Sequence, residues 1–466
     1  MGERHSVRGA RWTLVGVAVM AVLLAACGDS GTDSGSDSAG SDSDGGGATI
    51  KVPSDQPTIQ KAVDTAKKGD LILISPGVYK ESVDVTKDDL TLRGTDRNEV
   101  ILDGEFQLEN GIRILGTNGV AVENMTARNY TSNGFYWTGV TGYRGSYLTA
   151  YRNGDYGVYA FDSYKGQFDN SYASGSPDAG FYIGQCFECD AVIDNVVSEY
   201  NGLGYSGTNS GGNLFIINST FRFNRAGVVP NSGSYELCYP ERDTTVAGNL
   251  VYSNNQADSP AIDNAMLAMG NGILPAGGNN NVITKNRVWD HERTGIGLVP
   301  FPEEDASDTA PPQGEWSTPC KDTKREKPAE KPGLVLWQPT GNKVTDNVVE
   351  RSGVADIAVG SIGVELPSLN NCFSGNTVGT SAPTDLQGLA PCTGAPTATD
   401  WSAGALDLGP LIAAPRPPAG DYKVQPVPPA QPNMPKAATA PPRPATDVPK
   451  KVDVASITVP PAPPAN

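Results

Sequence analysis

From Gly111 onward the chain alternates apolar and polar positions in short runs, and each run opens on a glycine. These glycines are Gly111, Gly134, Gly157, Gly180, Gly204 and Gly227, separated by 23, 23, 23, 24 and 23 residues, with Gly272 another 45 on and Gly295 a further 23. Helical repeats of similar length need apolar residues at i, i+3 and i+4 across ten or more positions, whereas alternation marks strands with one buried face. One period suits a coil of three short strands and three turns. The pattern therefore predicts an all-β, parallel β-helix in which coils stack about 4.8 Å apart and residues one period apart lie in register. A second series, Asn124, Asn170, Asn195, Asn218, Asn249, Asn286, Asn347 and Asn376, flanks short β-branched runs. Buried turn asparagines form amide ladders in such stacks, so this series is assigned to structure.

The period also sorts side chains by face. One and three residues after the glycines come mostly apolar residues, Ile112, Phe135, Val158, Phe181, Tyr205 and Val228 in the first set, which should face inward. The position between them points out and reads Arg113, Tyr136, Tyr159, Tyr182, Ser206, Val229. Three tyrosines thus stack on the outer surface as a platform for sugar rings. Two residues before the glycines, Asp155 and Asp178 share a register beside them. Like charges placed so close destabilise unless something compensates. A shared proton or a bound Ca²⁺ would do so, and turn caps splayed into water are the alternative. Five residues after Gly157 lies Asp162, and Lys165 stands one period from Glu188, a spacing that predicts a cross-coil ion pair. Arg113, Arg144, Arg152 and Lys165 supply cations for an acidic polysaccharide.

Before the coils, residues 57–68 place Ile59, Ala62, Val63 and Ala66 on one helical face, with Ser54 or Asp55 to cap and Gly69 to stop. A short helix there covers the open N-terminal edge of the solenoid. Strands follow at residues 71–74, 83–85 and 90–92, with Pro76-Gly77 as a turn.

The stretch Thr58-Ile59-Gln60-Lys61-Ala62, then Gly69-Asp70 and Pro76-Gly77-Val78-Tyr79, followed by Asn-bearing coils, resembles right-handed parallel β-helix proteins of the pectate-lyase-like superfamily. Asp178-Ala179-Gly180-Phe181-Tyr182-Ile183-Gly184-Gln185 further resembles an exported, often lipoprotein, β-helix group of unsettled function. The resemblance spans roughly residues 48–380 and implies the fold. It leaves activity open, since that superfamily holds lyases, hydrolases, esterases, epimerases and non-catalytic binders.

Residues 1–26 read as a secretion signal: Arg4, Arg8 and Arg11 precede an apolar run that ends Leu24-Ala25-Ala26-Cys27, which resembles a bacterial lipobox. Cys27 is then the lipidated residue and the membrane anchor of an outward-facing protein. Residues 27–47, nearly all Gly, Ser and Asp, form a tether, residues 48–395 the β-helix, and residues 396–466 a Pro/Ala-rich tail. The last 57 residues hold 17 of the 37 prolines, which predicts an extended polyproline II chain without a packed place. With 35 Lys+Arg against 52 Asp+Glu the net charge is −17, which excludes a general nucleic-acid binder. Only His5 and His291 exist, which excludes multi-histidine metal sites. His291, within Trp289-Asp290-His291-Glu292-Arg293, reads as a surface turn residue and a secondary acid/base candidate.

Six further cysteines in an exported chain argue for disulfides. Six cysteines allow 15 connectivities; the expected pairs are Cys186 with Cys189, a CxxC that resembles a redox or metal motif but is read by default as a stapled turn bulge, Cys372 with Cys392 as a clip on the C-terminal end, and Cys238 with Cys320 as a tie between two insertions, the second being the loop at residues 300–332. The functional expectation is a membrane-anchored protein that engages an extended polysaccharide. In its enzymatic form, of lyase, hydrolase or epimerase type, Asp155, Asp178 and Asp162 are acid/base groups or Ca²⁺ ligands. Tyr136, Tyr159 and Tyr182 form the platform, and Arg152 or Lys165 is the electrostatic partner. The competing form is a non-catalytic scaffold that partners another envelope protein. A periplasmic metal-maturation accessory is disfavoured, because soft and imidazole ligands are scarce.

Overall fold

The structure is a computed structural model that describes residues 47–304, 306, 320 and 333–463. The segment expected to be a secretion signal, Cys27 and most of the insertion at residues 300–332 lie outside the described residues. Among those described, no helix is long and apolar enough to cross a membrane.

The alternating runs become strands that pair in parallel with the strand one coil away. One face of the solenoid is a seven-stranded sheet, β1 (Val83–Val85), β2 (Ile112–Leu115), β3 (Phe135–Thr138), β4 (Val158–Phe161), β5 (Ala179–Gly184), β6 (Leu203–Thr208) and β7 (Ala226–Asn231). Its register follows the glycine period: Phe135 pairs with Val158, Val158 with Phe181, and Phe181 with Tyr205. The two remaining faces belong to a 21-stranded sheet. Two 11-residue strands, Asn118–Arg128 and Thr141–Tyr151, run continuously round the corner between those faces. Each inward residue of the first column, from Ile112 to Val228, is fully buried. A parallel sheet closed on itself this way buries one side of every strand along a single continuous core.

The expected helix forms as α1 (Ile59–Thr65) and buries Ile59, Ala62 and Val63 against the first strands. Its cap is Thr58, whose hydroxyl accepts from Lys61 N at 3.1 Å, not Ser54 or Asp55; the Asp55 carboxylate instead accepts from Lys51 N. Gly69 ends the segment at φ +89°, where a side chain would be strained. The strand expected at residues 90–92 runs Thr91–Gly94, and Gly77 starts a strand, Gly77–Tyr79, where a turn was expected. Of the connectivities left open by the sequence, the three expected pairs form: Cys186–Cys189, Cys238–Cys320 and Cys372–Cys392.

The asparagine series divides in two. Asn249, Asn286, Asn347 and Asn376 form a buried ladder, each amide donating to the next carbonyl oxygen at 2.9–3.0 Å. Asn124, Asn170, Asn195 and Asn218 take left-handed backbone at φ 49–56°, which Asn tolerates better than most residues, and turn an outer corner. Another ladder, Asn201 to Asn224 to Asn254, ends on His291 Nε2 at 3.2 Å. His291 is therefore no surface turn residue: it is 2% exposed, and burial pushes its pKa down to about 3. The neutral ring stands where another asparagine would.

The proline-rich tail is extended, as its composition requires, but it is not free of the solenoid. It descends from Pro417 beside Arg225 to Pro432 beside Arg97, turns near Lys436, and climbs back past Arg144 to Pro460 beside Arg287.

Candidate functional site

Position i+2 after each glycine points outward from the seven-stranded sheet, and coil register turns that position into a column. Asp84, Arg113, Tyr136, Tyr159, Tyr182, Ser206 and Val229 pair successively across β1 to β7. At its lower end Arg113 and Asp84 form a bidentate ion pair at 2.9 Å. In the middle the phenol rings pack, with centroids 5.0 Å apart for Tyr136 and Tyr159 and 4.7 Å for Tyr159 and Tyr182. Tyr156, from the turn before β4, adds a fourth ring 4.4 Å from Tyr159 and 4.9 Å from Tyr182.

Asp155 and Asp178 occupy the turns that lead into β4 and β5, and Asp178 N donates to the Asp155 carbonyl at 3.1 Å. The Tyr156 hydroxyl donates to Asp178 Oδ2 at 2.6 Å. Burial, with the neighbouring Asp155 charge, raises the Asp178 pKa to about 7, against which the Tyr156 hydrogen bond works. Burial alone raises Asp155 to about 6. Near neutral pH the pair thus holds a proton that ordinary carboxylates would have lost, and the two titrate as a unit. Burial and the nearby carboxylates lift the phenols of Tyr156, Tyr159 and Tyr182 well above their ordinary value, so these tyrosines serve as hydrogen-bond donors and not as bases.

Beyond Asp178 the surface opens into a cavity of about 350 Å³. Apolar residues such as Leu203, Val229 and Leu274, with Leu406 and Leu408 of the tail, line it, and its polar groups include Asp178, Tyr235, Glu236 and Arg293. Helix α2 (Asp263–Ala268) forms one wall. The loop after β7 brings Glu236 back across 54 residues to accept from the Tyr182 hydroxyl at 2.5 Å.

The structure therefore brings Tyr136, Tyr159, Tyr182, Asp155 and Asp178 together, and leaves the other candidates apart. Asp162 follows β4 at its far end, where it is exposed and 3.5 Å from the Tyr164 hydroxyl. Lys165 is exposed just beyond, and among the described residues no ion pair joins it to Glu188. Arg152 Nε donates to the carbonyl of tail residue Gln425 at 2.6 Å, which commits it to the tail. Ca²⁺ needs six to eight oxygen ligands. The aspartate pair offers two carboxylates, and no group of three or more His, Cys, Asp or Glu converges among the described residues. Tyr156 and Glu236 escape the period argument. Tyr156 flanks the same glycine as Tyr159 and is visible as Asp155-Tyr156-Gly157, whereas Glu236 sits in a loop signalled only by the doubled 45-residue spacing.

Coil-on-coil parallel pairing is matched by the family described as "Right handed beta helix region", which covers residues 133–300. The fold is a right-handed parallel β-helix. The tyrosine and aspartate residues all fall within that matched segment of the β-helix. The comparison with curated proteins gives no match. Among solved structures, the A-module of a mannuronan C-5 epimerase from Azotobacter vinelandii is 15% identical at a TM-score of 0.46, covering 71% of this chain and 92% of that one. An alginate lyase from Paenibacillus is 13% identical at a TM-score of 0.40, covering 72% and 99%.

Proposed function

We propose that this β-helix protein is exported, anchored outward from the membrane by lipid on Cys27, and binds and chemically modifies an extended polysaccharide along its tyrosine column. The observation that carries the reading is the Asp155/Asp178 pair, which lies in one register, holds a proton near neutral pH, and adjoins four packed tyrosine rings at the mouth of a cavity. Sugar rings stack on Tyr136 and Tyr159, while the carboxyl pair exchanges its proton with the glycan, one aspartate as acid and the other as base. Tyr156 fixes the orientation of Asp178. Glu236, through Tyr182, holds the insertion loop over the column. The reaction class is acid/base transformation of a glycan, of lyase, hydrolase or epimerase type.

The test incubates the full chain with neutral and acidic polysaccharides and follows unsaturated-product absorbance, reducing ends and C-5 proton exchange. Turnover that disappears in Asp178→Asn supports the proposal. Binding without any turnover, weakened by Tyr159→Ala, makes the protein a non-catalytic binding module, and absence of both refutes the carbohydrate reading.

A further inference from the structure

The tail covers a strip of cations that runs over the 21-stranded sheet and the turns entering the tyrosine sheet. Arg93, Arg97, Arg144 and Arg225 are at most 1% exposed beneath it, and Arg152 and Arg287 are half-buried at its sides. All six donate to tail carbonyls. Arg93 reaches Ala440 O at 2.8 Å and Pro441 O at 3.1 Å, Arg97 reaches Pro432 O at 3.1 Å, and Arg144 reaches Arg443 O at 3.2 Å. Arg225 reaches Pro417 O at 2.9 Å and Pro418 O at 2.5 Å, and Arg287 reaches Pro460 O at 2.7 Å. Lys285 likewise donates to Val454 O and Ala455 O.

This chemistry accounts for the tail composition. Proline has a carbonyl and no N–H, so a proline-rich extended chain presents acceptors with few donors. It is a match in shape for a row of guanidinium groups, but an incomplete match in charge. Arg144 meets the tail carboxylate Asp447, and Arg93 meets Glu123 at 2.7 Å inside the solenoid. Arg97 and Arg225 have only neutral oxygens as partners, and Arg152 and Arg287 have a tail carbonyl each. A carboxylate offers a guanidinium a bidentate partner and an opposite charge, neither of which a neutral carbonyl supplies.

We propose that the strip beneath the tail is a second binding surface, for an extended acidic polysaccharide, and that the tail occupies it as an exchangeable cover. A polymer of carboxylates supplies the charge that the carbonyls lack, and its linear form suits a footprint one chain wide. The −17 charge of the whole protein disfavours bulkier polyanions around the strip. Its arginines are a different set of residues from the Asp155/Asp178 site, although the tail also lines the cavity beside Asp178 through Leu406, Leu408, Leu411 and Ile412.

Release of the tail is measurable by limited trypsin digestion of the full chain at the exposed Lys436, Lys450 and Lys451, with a synthetic peptide of residues 417–460 as control. At low salt, polygalacturonate should speed cleavage of the tail about fivefold or more and leave cleavage of the free peptide unchanged. About 0.5 M NaCl should abolish the effect, since screening acts within a few ångströms there. In the full-chain Arg152→Gln/Arg287→Gln variant, basal cleavage should rise and the response to polygalacturonate should fall. Tyr159→Ala should leave the response intact, which separates this surface from the tyrosine column. Cleavage that polygalacturonate does not accelerate, that neutral dextran accelerates equally, or that responds unchanged in the double variant overturns the proposal and leaves the tail a structural staple.

Discussion

The Asn249–Asn286–Asn347–Asn376 ladder and the outer column of Tyr136, Tyr159 and Tyr182 are built by the same device, a residue type repeated once per coil. In the ladder every amide is buried and closed: Asn286 donates to Val246 O and Asn347 Oδ1 and accepts from Asn249. Nothing remains for a ligand. The column is half-open, its carboxyl neighbours keep protons they would lose in water, and it leads to a cavity. Periodicity places both, and hydrogen-bond closure tells them apart. A closed polar stack contributes to stability, whereas an unbalanced one costs stability and is available for chemistry.

Substitutions in the two stacks should therefore have opposite signatures. The largest effect expected is on turnover: Asp178→Asn should lower kcat on the active glycan by about 10²-fold or more, as removal of an acid/base group does. Steady-state kinetics on the substrate found in the polysaccharide panel measures it. Next is Asn286→Ala, which strands the ladder partners above and below and should cost about 3 kcal/mol of stability without a specific effect on glycan affinity. Denaturant unfolding and calorimetric titration together read the two parts.

The pH dependence of stability should divide the stacks as well. Unfolded, Asp178 titrates near its ordinary value of 3.8, and folded near 7, so between those values the native state keeps a proton that the unfolded chain has lost. Its contribution to stability then falls as pH rises. His291 behaves oppositely: its folded pKa of about 3 lies below 6.5, so the unfolded chain gains a proton first and stability is lost as pH falls from 6.5 toward 3. Asp178→Asn should raise stability at pH 8 relative to the parent by on the order of 2 kcal/mol, a gain that fades by pH 4. His291→Asn, which continues the amide ladder, should remove a similar acid sensitivity between pH 6.5 and 4. Melting temperatures from pH 8 to pH 4 check both.

Smaller effects complete the contrast. Tyr159→Ala should weaken glycan binding about tenfold, the loss of one stacked ring. Asp162→Asn, at the far end of β4, should change turnover by less than about twofold, the range of an ordinary surface substitution; equal loss in Asp162→Asn and Asp178→Asn would move the site.

The sequence is most informative where the coil repeats. The outward column from Arg113 to Val229 and the inward column from Ile112 to Val228 are readable residue by residue, because register is a matter of counting. What interrupts the period escapes counting. Glu236 reaches Tyr182 from an insertion, α2 forms a cavity wall within another, and His291 passes for a surface residue because its amide neighbours are one coil away in space and 37 residues away in sequence. The tail illustrates a different limit. Its composition describes an extended chain correctly, yet the row of arginines that receives it is scattered from Arg93 to Arg287, and only the fold assembles them.

The direct test of the raised aspartate pair is a titration of aspartate side-chain carboxyl carbons by nuclear magnetic resonance in the full chain and in Asp178→Asn. The account predicts one step near pH 6 for Asp155 and one near pH 7 for Asp178, the step near 7 being absent in Asp178→Asn while that of Asp155, raised by burial, stays near 6. Titration of both carboxyls near pH 4, unchanged by the substitution, would contradict it and make the aspartates solvated turn residues.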